Sequence, residues 1–358
     1  MSGRDAAGDH PAVTAGRQRT DWRQTEGINM DNITTKEKLA VMLENGGDAY
    51  ISGSMIAETL GITRSAVWKH IKALETDGYR IEAVPNRGYR LQQDNDVISQ
   101  NTIRKYLGDE AGKFTLDIYS STTSTNEILK SAALRSQTWH TVIASHQSAG
   151  KGRSGRSFYS PAESGLYLSM LLRPDVPIEK ATFVTTAAAV AACRTIESCT
   201  DENACIKWVN DIFINEKKVC GILTEASTDM ESGGLEWVIM GIGFNVYEPV
   251  GGFPDTAGIA GYILGERKRD LRSRIAAGFM IEFRKICEDL SDNDHKEEYK
   301  RRNFIPGKRI NVIRGGVSVP AFAIGIDDEC RLIVRYDDGR EDVISSGEVS
   351  IRPIKAQP

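Results

Sequence analysis

Three groups of apolar residues at helical spacing, beginning near residue 34, predict three short helices at the front of the chain. Thr34 and Glu37 form a capping box before the first helix. Gly61 makes the turn before the third helix, which Thr63 caps and which extends to about Thr76. The apolar residues of the inner faces are Leu39 and Leu43, Ile56 and Leu60, and Val67, Ile71 and Leu74.

A β-hairpin is predicted after these helices, with strands at 79–84 and 88–91 and Arg87 at its tip. Helices and hairpin together form a winged helix-turn-helix, whose last helix enters the DNA major groove. No acidic residue lies between Arg64 and Lys72, and phosphate binding needs only a local basic stripe, so we favour DNA binding. The alternative is a helical accessory domain, since acids and bases nearly cancel over 31–91. The candidate DNA-contacting residues are Thr63, Arg64, Ser65, Trp68, Lys69, Lys72 and Arg87.

Strand-like and helical patterns alternate from residue 97 to 305 and predict an α+β domain. A capping box of Ser124 and Glu127 is expected to start one of its helices. The predicted strands are 114–119, 141–144, 165–172, 206–214, 218–225 and 237–242, and the predicted helices are 98–107, 124–134, 180–196 and 271–290.

From Gly307 onward, short strands separated by Gly and Asp turns predict a small all-β barrel. Residues 1–30 have almost no apolar periodicity and are predicted to be disordered. The predicted organisation is therefore a multidomain α+β chain. It comprises an extension (1–30), a winged helix-turn-helix (31–96), a central domain (97–305) and a barrel (306–358).

Composition restricts the partners and the compartment. The net charge of −4 means that any nucleic-acid contact must come from a local basic patch. The six cysteines are scattered without a C-x-x-C spacing, which predicts a reducing cytoplasm and neither disulfides nor zinc. No run approaches the roughly 18 apolar residues of a membrane span, and the start lacks a secretion signal.

A glycine-rich, cationic loop occupies residues 145–161. Its glycines allow backbone amides to approach an anion closely, and Lys151, Arg153 and Arg156 add fixed positive charge. The loop lacks the spacing of a nucleotide P-loop, so it is predicted to be a phosphate cradle of another kind. The alternative is a solvated basic surface loop.

Polar residues also interrupt several apolar patterns. The hydroxyls and Asn126 at 120–127 either hold a small polar head group or only cap a helix. Asn210 and Asp211 lie in a strand-like run, where polar groups cost free energy unless they have hydrogen-bond partners or a functional role. The alternative is that they form a structural turn. Lys218 stands at the entrance of a buried-looking strand. Gly241-Ile242-Gly243 is weak evidence alone, and no dinucleotide fingerprint follows it.

Taken together, these motifs resemble those of biotin protein ligases, in the same order and over nearly everything after residue 31. The winged helix-turn-helix resembles that of the bifunctional members, which also repress biotin operons. The motifs are Ser124-Thr125-Asn126, Gln147-x-x-Gly150-Lys151-Gly152-Arg153-x-Gly155-Arg156, Lys207-Trp208-x-Asn210-Asp211, Lys218-x-x-Gly221-Ile222-Leu223 and Gly241-x-Gly243-x-Asn245. Four positions depart from the residues common in that family: Lys151 for Arg, Phe158 for Trp, Val209 for Pro and Cys220 for Ala.

The resemblance implies a mixed-sheet ligase domain, an SH3-like barrel and a reaction in two steps. Biotin and Mg-ATP form biotinyl-5′-AMP, and a lysine of a biotin carboxyl carrier protein then takes the biotin. Lys218 is implied as the main catalytic cation and Arg153 as part of the closing loop. Asn210 and Asp211 are implied to orient ATP, Mg²⁺ or the incoming lysine. Asp211 is the candidate Mg²⁺ ligand. The residues implied for biotin are Ser124, Thr125, Asn126, Gln147, Lys151, Gly152, Arg153 and Lys218. Those implied for ATP are Lys207, Trp208, Asn210, Asp211 and Asn245, and the segment from Glu348 to Arg352 is implied to complete the ATP site or meet the acceptor.

The same resemblance implies that the adenylate orders the glycine loop and promotes homodimerisation through the central sheet, and that the dimer places two recognition helices on a two-fold operator site. Two rivals remain. One is a lipoate–protein ligase, which shares the fold and the two-step chemistry. The other is a repressor that senses a ligand without turning it over, although it would not need the full set of phosphate-binding residues.

Overall fold

The computed structural model describes residues 33–174, 181–228, 234–253, 258–288, 290, 294–314, 316–345 and 347–350. Within these ranges the chain forms eight α-helices and fourteen β-strands. The extension predicted to be disordered, 1–30, and the last residues of the predicted barrel domain, 351–358, lie outside the described residues.

The front of the chain folds as the predicted winged helix-turn-helix. The capping box is confirmed, since Thr34 Oγ1 accepts from the Glu37 amide at 3.3 Å and the Glu37 carboxylate accepts from the Thr34 amide at 2.6 Å. Gly61 makes the turn with φ +66°. The elements are α1 (Thr35–Asn45), α2 (Gly53–Leu60), α3 (Arg64–Thr76), β1 (Ile81–Val84) and β2 (Gly88–Leu91).

The wing is attached to the connection between α1 and α2. Ile51 and Tyr89 exchange two backbone hydrogen bonds of 2.9 Å. At Gly88, φ is +113°, and a Cβ would lie 2.1 Å from the Ile51 carbonyl oxygen. Only glycine therefore permits this close approach of the two backbones.

The centre of the molecule is a mixed sheet of seven strands in the order β3-β4-β5-β9-β8-β7-β6, in which only the β3–β4 pair is parallel. This confirms the predicted mixed sheet. Its strands are β3 (Thr115–Tyr119), β4 (His140–Ala144), β5 (Gly165–Leu172), β6 (Cys205–Lys207), β7 (Asp211–Ile214), β8 (Lys217–Thr228) and β9 (Leu235–Asn245).

Helices cover both faces of this sheet, as the continuous burial of β5 requires. On one face, Leu168 and Val238 join the main core with the Ala-rich helix α6 (Ala181–Cys199). On the other face, Leu171 and Ile239 pack beneath α5. The helices of this domain are α4 (Gln100–Leu107), α5 (Thr125–Ala132), α6, α7 (Leu271–Glu288) and α8 (Asp294–Arg302), of which α8 was not predicted.

The last part of the chain is an antiparallel sheet in the order β13-β12-β11-β10-β14. Among the described residues, β13 and β14 are its two edges, so closure into a barrel stays a prediction. Leu332 and Val334 of this sheet belong to the same buried cluster as the central domain. The strands are β10 (Arg309–Arg314), β11 (Val317–Ile326), β12 (Leu332–Tyr336), β13 (Glu341–Ile344) and β14 (Glu348–Ser350).

A buried ion pair anchors the segment between the first two domains. Arg272 Nε lies 3.1 Å from Asp96, and both side chains are almost fully buried. The Tyr247 hydroxyl donates to the same carboxylate at 2.8 Å. Arg272 also donates to the Gly165 carbonyl oxygen at 3.2 Å. The interdomain segment is therefore fixed to the beginning of β5.

In the part of the chain that the structure describes, none of the helices combines the length and the apolar character needed to cross a bilayer.

Candidate active site

One cavity of about 310 Å³ lies on the α5 face of the central sheet, between the glycine loop and the strands β7, β8 and β9. It brings together nearly all of the predicted ligand-binding residues. Those lining it are Ser124, Thr125, Asn126, Gln147, Lys151, Gly152, Arg153, Lys207, Asn210, Asp211, Lys218 and Asn245.

Trp208 does not line this cavity, although its neighbours in sequence do. Its side chain is buried, and its indole donates to the Cys330 carbonyl oxygen at 3.0 Å. The indole therefore joins the central domain to the C-terminal sheet. Its assignment to ATP stays a prediction that this position does not support.

Paired glycines form the floor of the cavity. Gly221 of β8 is the register partner of Gly243 of β9, and both face the Phe158 ring. A Cβ would lie 3.0 Å from the ring at Gly221 and 2.4 Å at Gly243. The ring therefore packs directly on the backbone of the sheet. Chain order alone gave no sign of this pairing, because it depends on the register of two strands.

A hydroxyl and amide cluster forms the polar end of the cavity. Gln147 Oε1 accepts from the Thr125 amide at 2.9 Å, and Gln147 Nε2 donates to Ser160 at 3.1 Å. Ser169 Oγ donates to Thr125 Oγ1 at 2.7 Å and also contacts Asn126 Oδ1. The sequence patterns did not single out Ser169, although it is the one serine in the apolar strand 165–172.

The predicted capping box at the start of α5 is wrong. Ser124 occupies the N-cap position but makes no side-chain capping hydrogen bond. The Glu127 carboxylate instead pairs with Lys151 of the loop at 2.7 Å and with Lys130 at 3.3 Å. Two ammonium groups compete successfully with a backbone amide for this carboxylate, because charge-assisted hydrogen bonds are the stronger ones.

The glycine loop folds back on itself and lines the cavity. The Gly152 amide donates to the Arg156 carbonyl oxygen at 2.7 Å. Arg153 donates to Asn210 Oδ1 at 3.0 Å, which places its guanidinium at the junction of β6 and β7. Arg156 pairs with Glu348 of the C-terminal sheet at 2.8 Å, and Glu348 also lines the cavity.

Lys218 and Lys207 supply the cationic side of the cavity. Lys218 Nζ lies 2.7 Å from Asp211, and its backbone is held by Ile259 and Gly261 through hydrogen bonds of 2.8 and 2.9 Å. Burial lowers the pKa of Lys207, and the nearby Asp211 carboxylate opposes that shift. Two ammonium groups and a guanidinium around a partly buried cavity favour an oxyanion ligand.

In the described ranges no group of three His, Cys, Asp or Glu side chains that could hold a metal ion occurs. The cavity carries the carboxylates of Asp211 and Glu348, each already paired with a cation.

The predicted DNA-contacting residues are all exposed: Thr63 caps α3, five others lie on α3, and Arg87 lies at the tip of the wing. Trp68 is 55 % exposed, which is unusual for an indole on a helix that also carries a buried face. Lys72 pairs with Glu75 at 2.6 Å. The Arg87 guanidinium lies 4.2 Å from the centre of the Tyr50 ring.

Comparisons with known proteins match three segments of the chain. Residues 118–245 match the Biotin/lipoate A/B protein ligase family, 35–90 match an HTH domain, and 306–352 match the Biotin protein ligase C terminal domain. These matches coincide with the central sheet, the helix-turn-helix and the C-terminal sheet.

This chain matches two curated relatives and one solved structure over nearly their full lengths. The bifunctional ligase/repressor BirA of Bacillus subtilis is 33 % identical, over 87 % of this chain and 98 % of the relative. The protein of the same name from Escherichia coli is 27 % identical, over 90 % and 99 %. The structure of a biotin protein ligase from Aquifex aeolicus in complex with biotin and ATP shares the fold, with a TM-score of 0.55 and 23 % identity, covering 66 % of this chain and 98 % of that one. The chain therefore belongs to the biotin/lipoate A/B protein ligase family and is a relative of its bifunctional ligase/repressors.

Proposed function

We propose that this protein is an ATP-dependent biotin–protein ligase and a biotin-responsive repressor of biotin genes. The observation that carries the enzymatic half is the cavity itself. It gathers the residues assigned to biotin and, except for Trp208, those assigned to ATP. The helix-turn-helix with its exposed basic residues supports the repressor half.

The biotin end of the cavity combines polar and apolar contacts. Ser124, Thr125 and Gln147 offer donors and acceptors to the ureido group. Phe158, on its floor of paired glycines, offers a flat apolar surface to the sulfur-containing ring. A site of this kind fixes orientation with few polar groups and gains affinity from apolar burial.

The nucleotide end is cationic. Lys207, Asn210, Asp211 and Asn245 are proposed to hold ATP. Mg²⁺ is proposed to arrive bound to the ATP phosphates, with Asp211 as the protein ligand, since Mg²⁺ is usually held by one or two carboxylates together with substrate phosphates. Bound there, it would neutralise phosphate charge.

The proposed reaction has two steps. A biotin carboxylate oxygen attacks the α-phosphorus of ATP, the bond to the β-phosphate oxygen breaks, and pyrophosphate leaves. The amine of an acceptor lysine then attacks the acyl carbon, the bond to AMP breaks, and the amine loses a proton. Lys218 is proposed to offset the charge that two anionic reactants bring together, and Arg153 to retain the adenylate under the loop.

For regulation, we propose that the adenylate orders the glycine loop and promotes a homodimer through the central sheet. The dimer would present two α3 helices to a two-fold operator. The acceptor is proposed to be a biotin carboxyl carrier protein. A cytoplasmic location is proposed from the six cysteines, which are free thiols in the structure.

Incubation of the protein with biotin, Mg-ATP and a biotin carboxyl carrier domain tests the enzymatic proposal. Pyrophosphate release and the addition of one biotinyl group, read by intact mass, are expected. Lipoate with its own carrier domain is the matched control and is expected to give no product. Transfer of lipoate instead would assign the protein to the lipoate branch, and absence of any adenylate would leave only the ligand-sensing repressor.

Sedimentation with and without biotin plus ATP tests the regulatory proposal. A shift from monomer toward dimer is expected, together with tighter operator binding. An unchanged monomer–dimer balance would remove the proposed coupling.

A further inference from the structure

A continuous series of ion pairs connects the glycine loop to the polar end of the cavity, behind the residues that face a ligand. Lys151 of the loop pairs with Glu127 at 2.7 Å, and Glu127 pairs with Lys130 at 3.3 Å. Lys130 pairs in turn with Glu225 of β8. The other oxygen of Glu225 accepts from Asn126 Nδ2 at 2.8 Å. We call Glu127, Lys130 and Glu225 the α5–β8 charge series.

The inner end of the series is held tightly. Asn126 is buried, and Ser169 Oγ contacts its Oδ1. A Cβ on Gly241 would lie 2.1 Å from the same oxygen, so the amide rests directly on the sheet backbone. Glu225 therefore fixes the amide orientation of Asn126, because the carboxylate only accepts and must face the NH₂ group.

The outer end is more exposed. The exposed side-chain fraction rises from 25 % at Glu225 and 32 % at Lys130 to 41 % at Glu127 and 47 % at Lys151. Exposed ion pairs are weak and exchange readily, whereas partly buried ones are screened less. The Lys151–Glu127 contact can thus break and reform, while the inner contacts stay in place.

We propose that the α5–β8 charge series positions both the polar wall of the biotin subsite and the first residue of the closed loop. Glu225 and Lys130 orient Asn126, and Glu127 is the fixed anchor to which Lys151 returns when the loop closes over a ligand. These are positioning residues, since they act through Asn126 and Lys151. The inference rests on the proposed ligase function.

A structural role alone, in which the series only attaches α5 to the sheet, makes different predictions. It would lower the melting temperature of each variant. The affinities for all ligands would then fall in proportion to that loss of stability. The positioning role instead predicts a selective effect on biotin and on retention of the adenylate.

The experiment measures KM for biotin, kcat and the dissociation rate of biotinyl-5′-AMP in three variants. Glu225→Gln keeps the shape and an acceptor for Asn126 but removes the charge that pairs with Lys130. It is expected to raise KM for biotin about two- to fivefold with little change in kcat, the effect of losing one partly exposed ion pair. Glu127→Gln is expected to speed adenylate dissociation by a similar factor. Glu236→Gln is the matched control. Glu236 lies on the neighbouring strand and accepts a hydrogen bond from the Ser227 hydroxyl, and its substitution is expected to leave KM for biotin, kcat and the adenylate dissociation rate unchanged.

A double-mutant cycle separates the Lys151–Glu127 contact from other effects. The effect of the double variant on the adenylate dissociation rate is expected to be clearly smaller than the sum of the effects of Glu127→Gln and Lys151→Met. Both substitutions break the same contact. Unchanged biotin KM and adenylate dissociation in Glu225→Gln and Glu127→Gln would overturn the inference. Additive effects in the cycle, or effects that only follow a fall in melting temperature, would do so as well.

The wild-type protein separates this inference from the proposed function. If it forms no adenylate, the ligase function fails and the inference fails with it. If it is active and the variants match it, the inference alone is wrong.

Discussion

Lys218 Nζ lies 2.7 Å from Asp211 Oδ1, across the pairing of β8 with β7. The ion pair holds the ammonium group at the cavity. An ammonium group has three N–H donors, so one carboxylate partner leaves donors for an incoming oxyanion. This geometry makes Lys218 the strongest candidate for the cation that offsets charge during adenylate formation.

Lys218→Met is expected to slow adenylate formation by about 10²- to 10³-fold, the usual loss when one charge-stabilising donor is removed. Pyrophosphate release measures this rate. Lys217→Met, on the adjacent residue whose Nζ donates to the Gly258 carbonyl oxygen at 3.3 Å, is the control. Wild-type turnover in Lys218→Met would refute the assigned role.

Arg153→Gly is expected to release the adenylate prematurely. Arg153 joins the loop to Asn210 through a hydrogen bond of 3.0 Å, and hydrogen bonds to charged groups contribute about 1.5–3 kcal/mol. Dissociation of the adenylate should therefore quicken by about 10- to 100-fold. Biotinylation of bystander lysines reports the release.

Arg153→Lys separates charge from shape at this position. It keeps the positive charge but loses the planar guanidinium, and an intermediate release rate is expected. Equal retention of the adenylate by wild type and Arg153→Gly would contradict the role of this residue in closing the loop.

Gly243→Ala should damage the floor of the cavity. The added Cβ would lie 2.4 Å from the Phe158 ring, and overpacking of this kind costs about 1–3 kcal/mol. We expect KM for biotin to rise about tenfold as the ring is displaced. Gly265→Ala is the matched control, because a Cβ there meets no atom of the described residues within 4 Å. Similar biotin affinity in the two variants would show that the ring can move at little cost.

Arg87→Ala tests the wing. Its loss should weaken binding to all DNA sequences alike and reduce the slope of log K against log salt by about 1, as expected for one phosphate contact. Fluorescence anisotropy with a duplex at several salt concentrations measures the slope. Lys285→Ala, on an exposed part of α7, is the control. A base-dependent loss with an unchanged slope would assign Arg87 to a base edge instead.

Glu44 should make the protein less stable above pH 6. Burial is the main cause that raises the pKa of Glu44 to about 6. Hydrogen bonds from Asn101 at 2.7 Å and Tyr79 at 2.9 Å act in the opposite direction and lower this pKa. Because the folded state binds this proton more tightly than the unfolded state, the contribution of Glu44 to stability is greatest below about pH 4.5 and is lost as the pH rises through 6. The fall amounts to about 2 kcal/mol from this group.

Glu44→Gln should remove that fall. Urea unfolding at pH values from 4.5 to 7, followed by circular dichroism, compares the variant with wild type. Glu58→Gln, at an exposed position on α2, is expected to keep the wild-type pH dependence. Parallel curves for wild type and Glu44→Gln would rule out a contribution from this carboxylate.

The sequence by itself determined the elements whose signals are local. The predicted capping residues Thr34 and Thr63 each accept from the backbone of the helix that they start. Such signals act over three or four residues, so they can be read without knowledge of the fold. The five short motifs that carry the family resemblance also supplied in advance most of the residues that line the cavity, whereas local patterns alone left a surface loop, a helix cap and a turn open as alternatives.

The tertiary structure alone decided how those motifs meet. The pairing of Gly221 with Gly243, the contact of Ser169 with Thr125 and the turn of Trp208 toward Cys330 all depend on strand order and register. The failed capping box at Ser124 has the same origin, since the loop brings Lys151 to Glu127 from 24 residues away. Contacts between distant segments have no local signature in the sequence, because they form only when the sheet has set which residues face each other.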